Sequence, residues 1–410
     1  MKIKIFNRGI CVCALPATNS IWAKSSAEME KTMKVVIAID SFKGSLSSQE
    51  AGQAAAAGIK RVFPDAVTQV CPLADGGEGT VETLISGMGG TIRRLSVTGP
   101  LGEKVTGRYG VLEDGVTAVM EMADAAGITM VLPEQRNPLY TTTYGVGETI
   151  RDAVKEGCRK FIIGIGGSAT NDGGVGMLQA LGFEFLDGAG KPVAFGAQGL
   201  EKLVCIGTGH AMEELADCEF HIACDVKNAL CGPEGCSAVF GSQKGADDAM
   251  IRQMDAWLAD YAALAAAAFE GEAVDPDHPG SGAAGGLGFA FRTFLHGSLE
   301  PGVELILRET KLEEKLQDAD VVVTGEGRLD GQTVMGKAPV GVAALAKKYG
   351  KKVVAFSGCV TEDARACNAY GIDAFFPIVR GAVSLEEAMD RENAARNMMD
   401  TAEQVFRLMR

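Results

Sequence analysis

The chain has 410 residues, of which 47% are apolar and 22% charged, the balance of a globular protein too long for one hydrophobic core. A formal net charge of −14 and a pI of about 4.9 set it against nucleic acid and anionic membrane. The same field repels nucleotides and small acids, so such a ligand requires a locally positive site or a metal ion.

Glycine stands out, with 53 residues against a usual share of roughly 7%. These glycines cluster between apolar runs, where they let the backbone turn or approach a ligand closely. Eleven cysteines and four histidines form no paired CxxC and no His spacing for zinc, so reduced thiols in a cytoplasmic protein are expected. No apolar run reaches the ~18 residues of a membrane helix. Residues 1–32, with Lys2, Lys4 and Arg8 ahead of a short apolar stretch, faintly imitate a signal peptide but lack a small-x-small site. They read as an extension outside the fold, which is expected to open at Met33.

In chain order, Val35 to Ile39 is a continuous β-branched run, the pattern of a buried parallel strand. Ser47 to Val62 reads as an alanine-rich helix with Ser47 and Glu50 spaced as a capping box. Val67 to Leu73 is a second strand, and a second helix begins near Gly79. Between Thr91 and Glu121 the segments RRLSVTG, GRYGVL and TAVMEMA alternate as antiparallel strands do. Phe161 to Ile165 and Phe220 to Cys224 read as strands, Val175 to Leu181 and Asp247 to Phe269 as helices. Strand and helix alternation returns from Pro301, with strands at Asp320 to Thr324, Lys352 to Phe356 and Ala374 to Val379, then a closing helix from Ser384 to Met409. The expected fold is α/β. A Rossmann-like, doubly wound domain is formed by 33–92 and 300–410, and 93–299 form an inserted α/β domain with a mixed sheet. A ligand cleft is expected between them.

Five loops after these strands combine glycine with carboxylate, amide or hydroxyl. Asp40-Ser41-Phe42-Lys43-Gly44-Ser45 reads equally as a phosphate-contacting loop and as a capping turn with a surface lysine. Asp75-Gly76-Gly77-Glu78-Gly79-Thr80 holds more glycine and acid than a turn needs, and suits Mg²⁺ on its carboxylates and an anion on its amides. Gly164-Ile-Gly166-Gly167-Ser168-Ala169 matches G-x-G-x-x-[GA], with Glu184 20 residues on, yet Thr170 to Gly174 delay the helix that a dinucleotide fingerprint demands. A glycine-rich phosphate or substrate loop fits better. Gly331-x4-Gly336-Lys337 nearly spells a Walker A loop, but Ala338 stands where Ser or Thr is required. The run from Ser281 to Gly288, with Gly285 and Gly286, suits a nucleotide or a close approach of backbone equally well. Asp225, at the end of a strand, reads as a cap or a metal ligand.

Four of these segments, in order, resemble the bacterial glycerate kinases of class I. They are DSFKGS from Asp40, PLADGGEGT from Pro72, GGSATNDGG from Gly166, and TGEGRLD from Thr324 with GKAP from Gly336. The resemblance runs from about Met33 to the C-terminus. It implies ATP and Mg²⁺ as cofactors, D-glycerate as the small-molecule substrate and 2-phosphoglycerate as product, on a two-domain α/β architecture. On that footing Asp172 is the first choice to orient or deprotonate the attacking hydroxyl, Asp40 the second, with Lys43 beside them. Ser41, Ser168, Asn171 and Arg328 would meet the substrate. Gly76, Gly77, Gly166, Gly167, Gly285, Gly286 and Lys337 would meet nucleotide or phosphate, and Asp75, Glu78 and Asp225 would hold the metal. A homo-oligomer is compatible with all of this. A nucleotide-dependent oxidoreductase and a non-catalytic sensor of a small acid are the rival readings.

Overall fold

The computed structural model describes residues 32–74, 76–77, 79–269 and 274–410. Its strands are β1 (Lys34–Ile39), β2 (Val67–Val70), β3 (Gly90–Thr98), β4 (Lys104–Leu112), β5 (Thr117–Glu121), β6 (Lys160–Gly164) and β7 (Glu184–Leu186). There follow β8 (Cys205–Gly207), β9 (Glu219–Ala223), β10 (Ser298–Glu300), β11 (Val321–Leu329), β12 (Lys352–Val360) and β13 (Ala374–Pro377). The first sheet runs β13-β12-β11-β1-β2 and is parallel throughout. Counted by chain position this is the doubly wound order 2-1-3-4-5, whose switch point lies between β1 and β11. The second sheet runs β10-β9-β6-β5-β4-β3, parallel from β10 to β5 and antiparallel at β4 and β3. β3 lies wholly in this sheet, so the expected boundary at residue 92 falls inside a strand.

Period-two alternation sorts β1 between two cores. Val35, Ile37 and Ile39 pack with helices Ser48–Val62 and Arg391–Arg407. Val36 and Ala38 join a layer that also holds Leu84 of helix Thr80–Met88, Leu305 of helix Gly302–Glu309 and Ala343 of helix Ala338–Lys348. Val119, Ile162 and Ala223 of the second sheet belong to that same layer, while Ala118, Phe161 and Ile163 face a third core with helices Tyr144–Lys155 and Ala283–Leu295. One helical layer therefore serves both sheets.

The capping box at Ser47 is formed as the sequence requires, the Ser47 hydroxyl accepting from the Glu50 N–H. Three expectations change. β2 stops at Val70, three residues early, because its pairing with β1 ends there. β11 runs on to Leu329 instead of ending near Thr324, since residues 326–329 continue to pair with β12 beyond the end of β1. The closing helix is two, Leu385–Met389 and Arg391–Arg407, because Asp390 takes extended backbone and caps the second by accepting from the Asn393 N–H.

Candidate functional site

The carboxyl ends of β1 and β11 flank the switch point, and a cleft of about 1670 Å³ opens there. Beyond β1, Phe42 and Leu46 bridge to each other and bury their side chains, which leaves Lys43 at the tip of a tight loop. Asp40 is buried beneath, tied by its N–H to the Gly325 carbonyl and accepting from the Ser41 N–H at 2.7 Å. Ser48 fastens this region to the next loop, donating to the Ile39 carbonyl while accepting from the Leu73 N–H. On the other side, the continuation of β11 presents Glu326, Arg328 and Asp330. Glu326 accepts from the Thr333 hydroxyl at 2.6 Å, and Lys337 lies 3.8 Å from Glu326 and 3.7 Å from Asp330. Burial pushes the Glu326 carboxyl above its ordinary range, against the pull of Thr333 and Lys337. Lys43, Lys227, Arg328 and Lys337 also line this cleft, interspersed with the carboxylates of Asp40, Asp225, Glu300, Glu304, Glu326 and Asp330, so cations for an anionic ligand and carboxylates for a metal ion stand side by side. The opposite wall is apolar, with Val383, Leu385 and Met389.

A second cavity of about 400 Å³ is lined by Gly76, Gly77, Gly166, Gly167, Ser168 and Lys244. Cys224, Asp225 and Val226, directly after β9, line both cavities and form the seam between them. Asp225 also fills its structural alternative, accepting from the Gly302 N–H at 2.9 Å at the start of helix Gly302–Glu309.

The structure brings Asp40, Ser41, Lys43, Arg328, Lys337 and Asp225 to the large cleft, and Gly76, Gly77, Gly166, Gly167 and Ser168 to the small cavity. Other expected residues stand elsewhere. Asp172 is a correction. It is 1% exposed, lines neither cavity, and accepts from the Thr143 N–H and hydroxyl and from the N–H groups of Gly174 and Gly176. Burial raises its carboxyl above the ordinary range, while those donors oppose the rise. These four contacts tie Asp172 into the loop, away from the lining of both cavities. Asn171 is likewise buried, donating to the Ser237 hydroxyl, and lines neither cavity.

Gly285 and Gly286 are also corrected. Their φ values of +69° and +93° interrupt the helical backbone, and a Cβ on Gly285 would stand 2.1 Å from the Thr170 carbonyl oxygen. They are the close backbone approach, clamping 170–173, and do not touch either cavity. The helix start after Gly77 is already occupied by a protein carboxylate. Glu121, buried at the end of β5, accepts from the Gly79 and Val81 N–H groups, so those amides are not available to a phosphate. Asp75 and Glu78 lie outside the described residues. Two groups were not singled out from the sequence. Glu326 lies inside the TGEGRLD motif, where a carboxylate between Gly325 and Gly327 was the usable signal. Lys244 sits in a short turn before Gly245 and gave none.

The model of the Glycerate kinase family matches residues 35–410. A glycerate kinase of Haemophilus influenzae is 46% identical over 377 residues, covering 92% of this chain and 99% of that protein. A glycerate 2-kinase of Escherichia coli K12 is 47% identical over 356 residues, covering 87% and 93% respectively. A crystal structure of a protein assigned as glycerate kinase 2, from Salmonella typhimurium LT2, superposes with a TM-score of 0.85 at 45% identity, covering 92% of this chain and 98% of that one.

Proposed function

The chain belongs to the glycerate kinase family, and from that premise we propose that it transfers the γ-phosphoryl group of ATP to D-glycerate in the cytoplasm, giving 2-phosphoglycerate and ADP. The observation that carries this reading is the seam at Cys224-Asp225-Val226, where a large cleft meets a small one. The large cleft has lysines for phosphates, carboxylates for a metal ion and apolar side chains for a base. The small cavity, whose lining includes Gly76, Gly77, Gly166 and Gly167, suits a three-carbon acid. In-line transfer needs donor and acceptor to meet at one point, and the seam is the place where the two spaces join.

Lys43 and Lys337 would hold phosphate oxygens. Asp40, at the end of β1, would orient or deprotonate the hydroxyl. Mg²⁺, carried on the nucleotide, would supply neutralisation of phosphate charge. Among the described residues no three His, Cys, Asp or Glu side chains stand close enough to hold a metal by themselves. That fits an ion held mainly by phosphates and one or two carboxylates. Asp225 at the seam would be one such carboxylate, and Asp75 and Glu78 are further candidates.

Phosphorus NMR of the products from ATP and D-glycerate tests the reading, reporting both transfer and the carbon phosphorylated. ADP formation independent of D-glycerate would reject it, and a 3-phosphoglycerate signal would reject the regiochemistry. Asp225→Asn is expected to lower kcat by about 10²–10³ and to raise the Mg²⁺ needed for half-maximal rate. Unchanged kcat in that variant would remove Asp225 from the site.

A further inference from the structure

Among the described residues Lys244 is the one cation that lines the small cavity, and it is 2% exposed. It sits in the 3₁₀ turn Ser242–Lys244, and Gly245 follows with φ +93°. Its ammonium has three donors. One goes to the Thr170 carbonyl at 2.6 Å. Among the described residues it forms no ion pair, in contrast to Lys337, which stands between two carboxylates. A buried ammonium with no carboxylate in ion-pair contact is unfavourable, and an apolar side chain in its place would serve the fold better. The feature that accounts for it is the cavity that it lines, where Gly166, Gly167 and Ser168 leave room for a small anion.

We propose that Lys244 anchors the carboxylate of the acceptor acid, fixing the molecule in the small cavity so that its hydroxyl end faces the seam at Asp225. The inference rests on the reading of the protein as a glycerate kinase and adds the group that selects an acid over a neutral polyol. Arg328, which was expected to meet the substrate, stands on the large cleft with a side chain 66% exposed and paired to Asp330. A cation in that setting is screened by water, whereas one enclosed by the cavity is not. Thr170, which receives the Lys244 proton, belongs to the loop clamped by Gly285, so the anchor is held by backbone and not by a flexible side chain. Burial also pushes the Lys244 ammonium down to about 8, against the opposing charge of Asp172, so it still carries its proton at neutral pH.

The test compares wild type with Lys244→Met and Lys244→Gln, using D-glycerate and glycerol as alternative acceptors and following ADP release. Loss of one charge-assisted bond should raise the D-glycerate KM roughly 10–100-fold, while the ATP KM moves by no more than about twofold. The preference for D-glycerate over glycerol should shrink by a similar factor, a change that a merely structural lysine would not cause. Two variants of different polarity are used so that misfolding of one, seen as loss of a cooperative melt, leaves the other to decide. An unchanged D-glycerate KM, or a rise in the ATP KM instead, would overturn the assignment of Lys244. A wild type that releases ADP with neither acceptor would overturn the kinase reading itself, so the two failures are distinguishable.

Discussion

Glu326 and Lys244 are held away from their ordinary proton affinities by the same cause, burial, with opposite consequences for charge and pH. The folded protein binds the Glu326 proton more tightly than the unfolded chain, whose carboxyl titrates near 4.5. The stability that Glu326 contributes is therefore present below that pH and lost as pH rises through the folded value. At neutral pH the ionised group is a burden on the fold, so Glu326→Gln should melt at or above wild type while turning over more slowly. A melt clearly below wild type would show that the Thr333 and Lys337 contacts outweigh burial. For Lys244 the sign reverses. The folded ammonium loses its proton near 8 and the unfolded one near 10.5, so a penalty on the order of 3 kcal/mol below pH 8 is relieved as pH climbs between those values. Thermal melts of Lys244→Met from pH 7 to 10 should lack the relief that wild type shows. Identical slopes would contradict a buried charge.

At the scale of elements, loops are placed by backbone contacts that no single element contains. The 283–286 segment abandons helical backbone at three consecutive residues in order to lie against 170–173. Gly285→Ala adds a Cβ at φ +69° and 2.1 Å from the Thr170 oxygen, so a stability loss of at least about 1–2 kcal/mol is expected from the backbone conformation alone. Because Thr170 also accepts from Lys244, the D-glycerate KM should rise with it while the ATP KM stays near its original value. Equal effects on both substrates would mean that the clamp serves the whole molecule. Local elements are easier to read. Ser47→Ala removes a capping bond formed entirely between residues three apart, and a cost of about 1 kcal/mol measured by denaturant titration is expected.

Across the whole molecule, the layer containing Val36, Leu84, Val119, Ile162, Leu305 and Ala343 belongs to both sheets at once. Neither sheet can lose its packing without exposing part of the other. Calorimetry should therefore show one transition, and saturating ATP or D-glycerate should raise its midpoint by mass action. Two resolved transitions would mean that the shared layer does not couple them. No helix among the described residues is long and apolar enough to cross a membrane.

The α/β class, most of the strands, the Ser47 capping box and the loops that carry the chemistry were legible in the chain, because periodicity and capping act over a few residues. The loops that carry Asp40, Lys43, Arg328, Lys337 and Asp225 do line the large cleft, although the local pattern left the Asp40 loop and Asp225 open between structural and ligand roles. It could not see that Glu121, 42 residues after Gly79, would occupy the helix start beside Gly77. Nor could it see that Asp172 would be enclosed by donors from Thr143 and its own loop, or that Lys244 would reach back 74 residues to Thr170. Burial decides which ionisable groups can touch a ligand, and burial is set by contacts between distant segments. Sequence by itself determined the elements and the repertoire of loops. Tertiary packing alone decided which loops share a cavity, and which of their charges face into it.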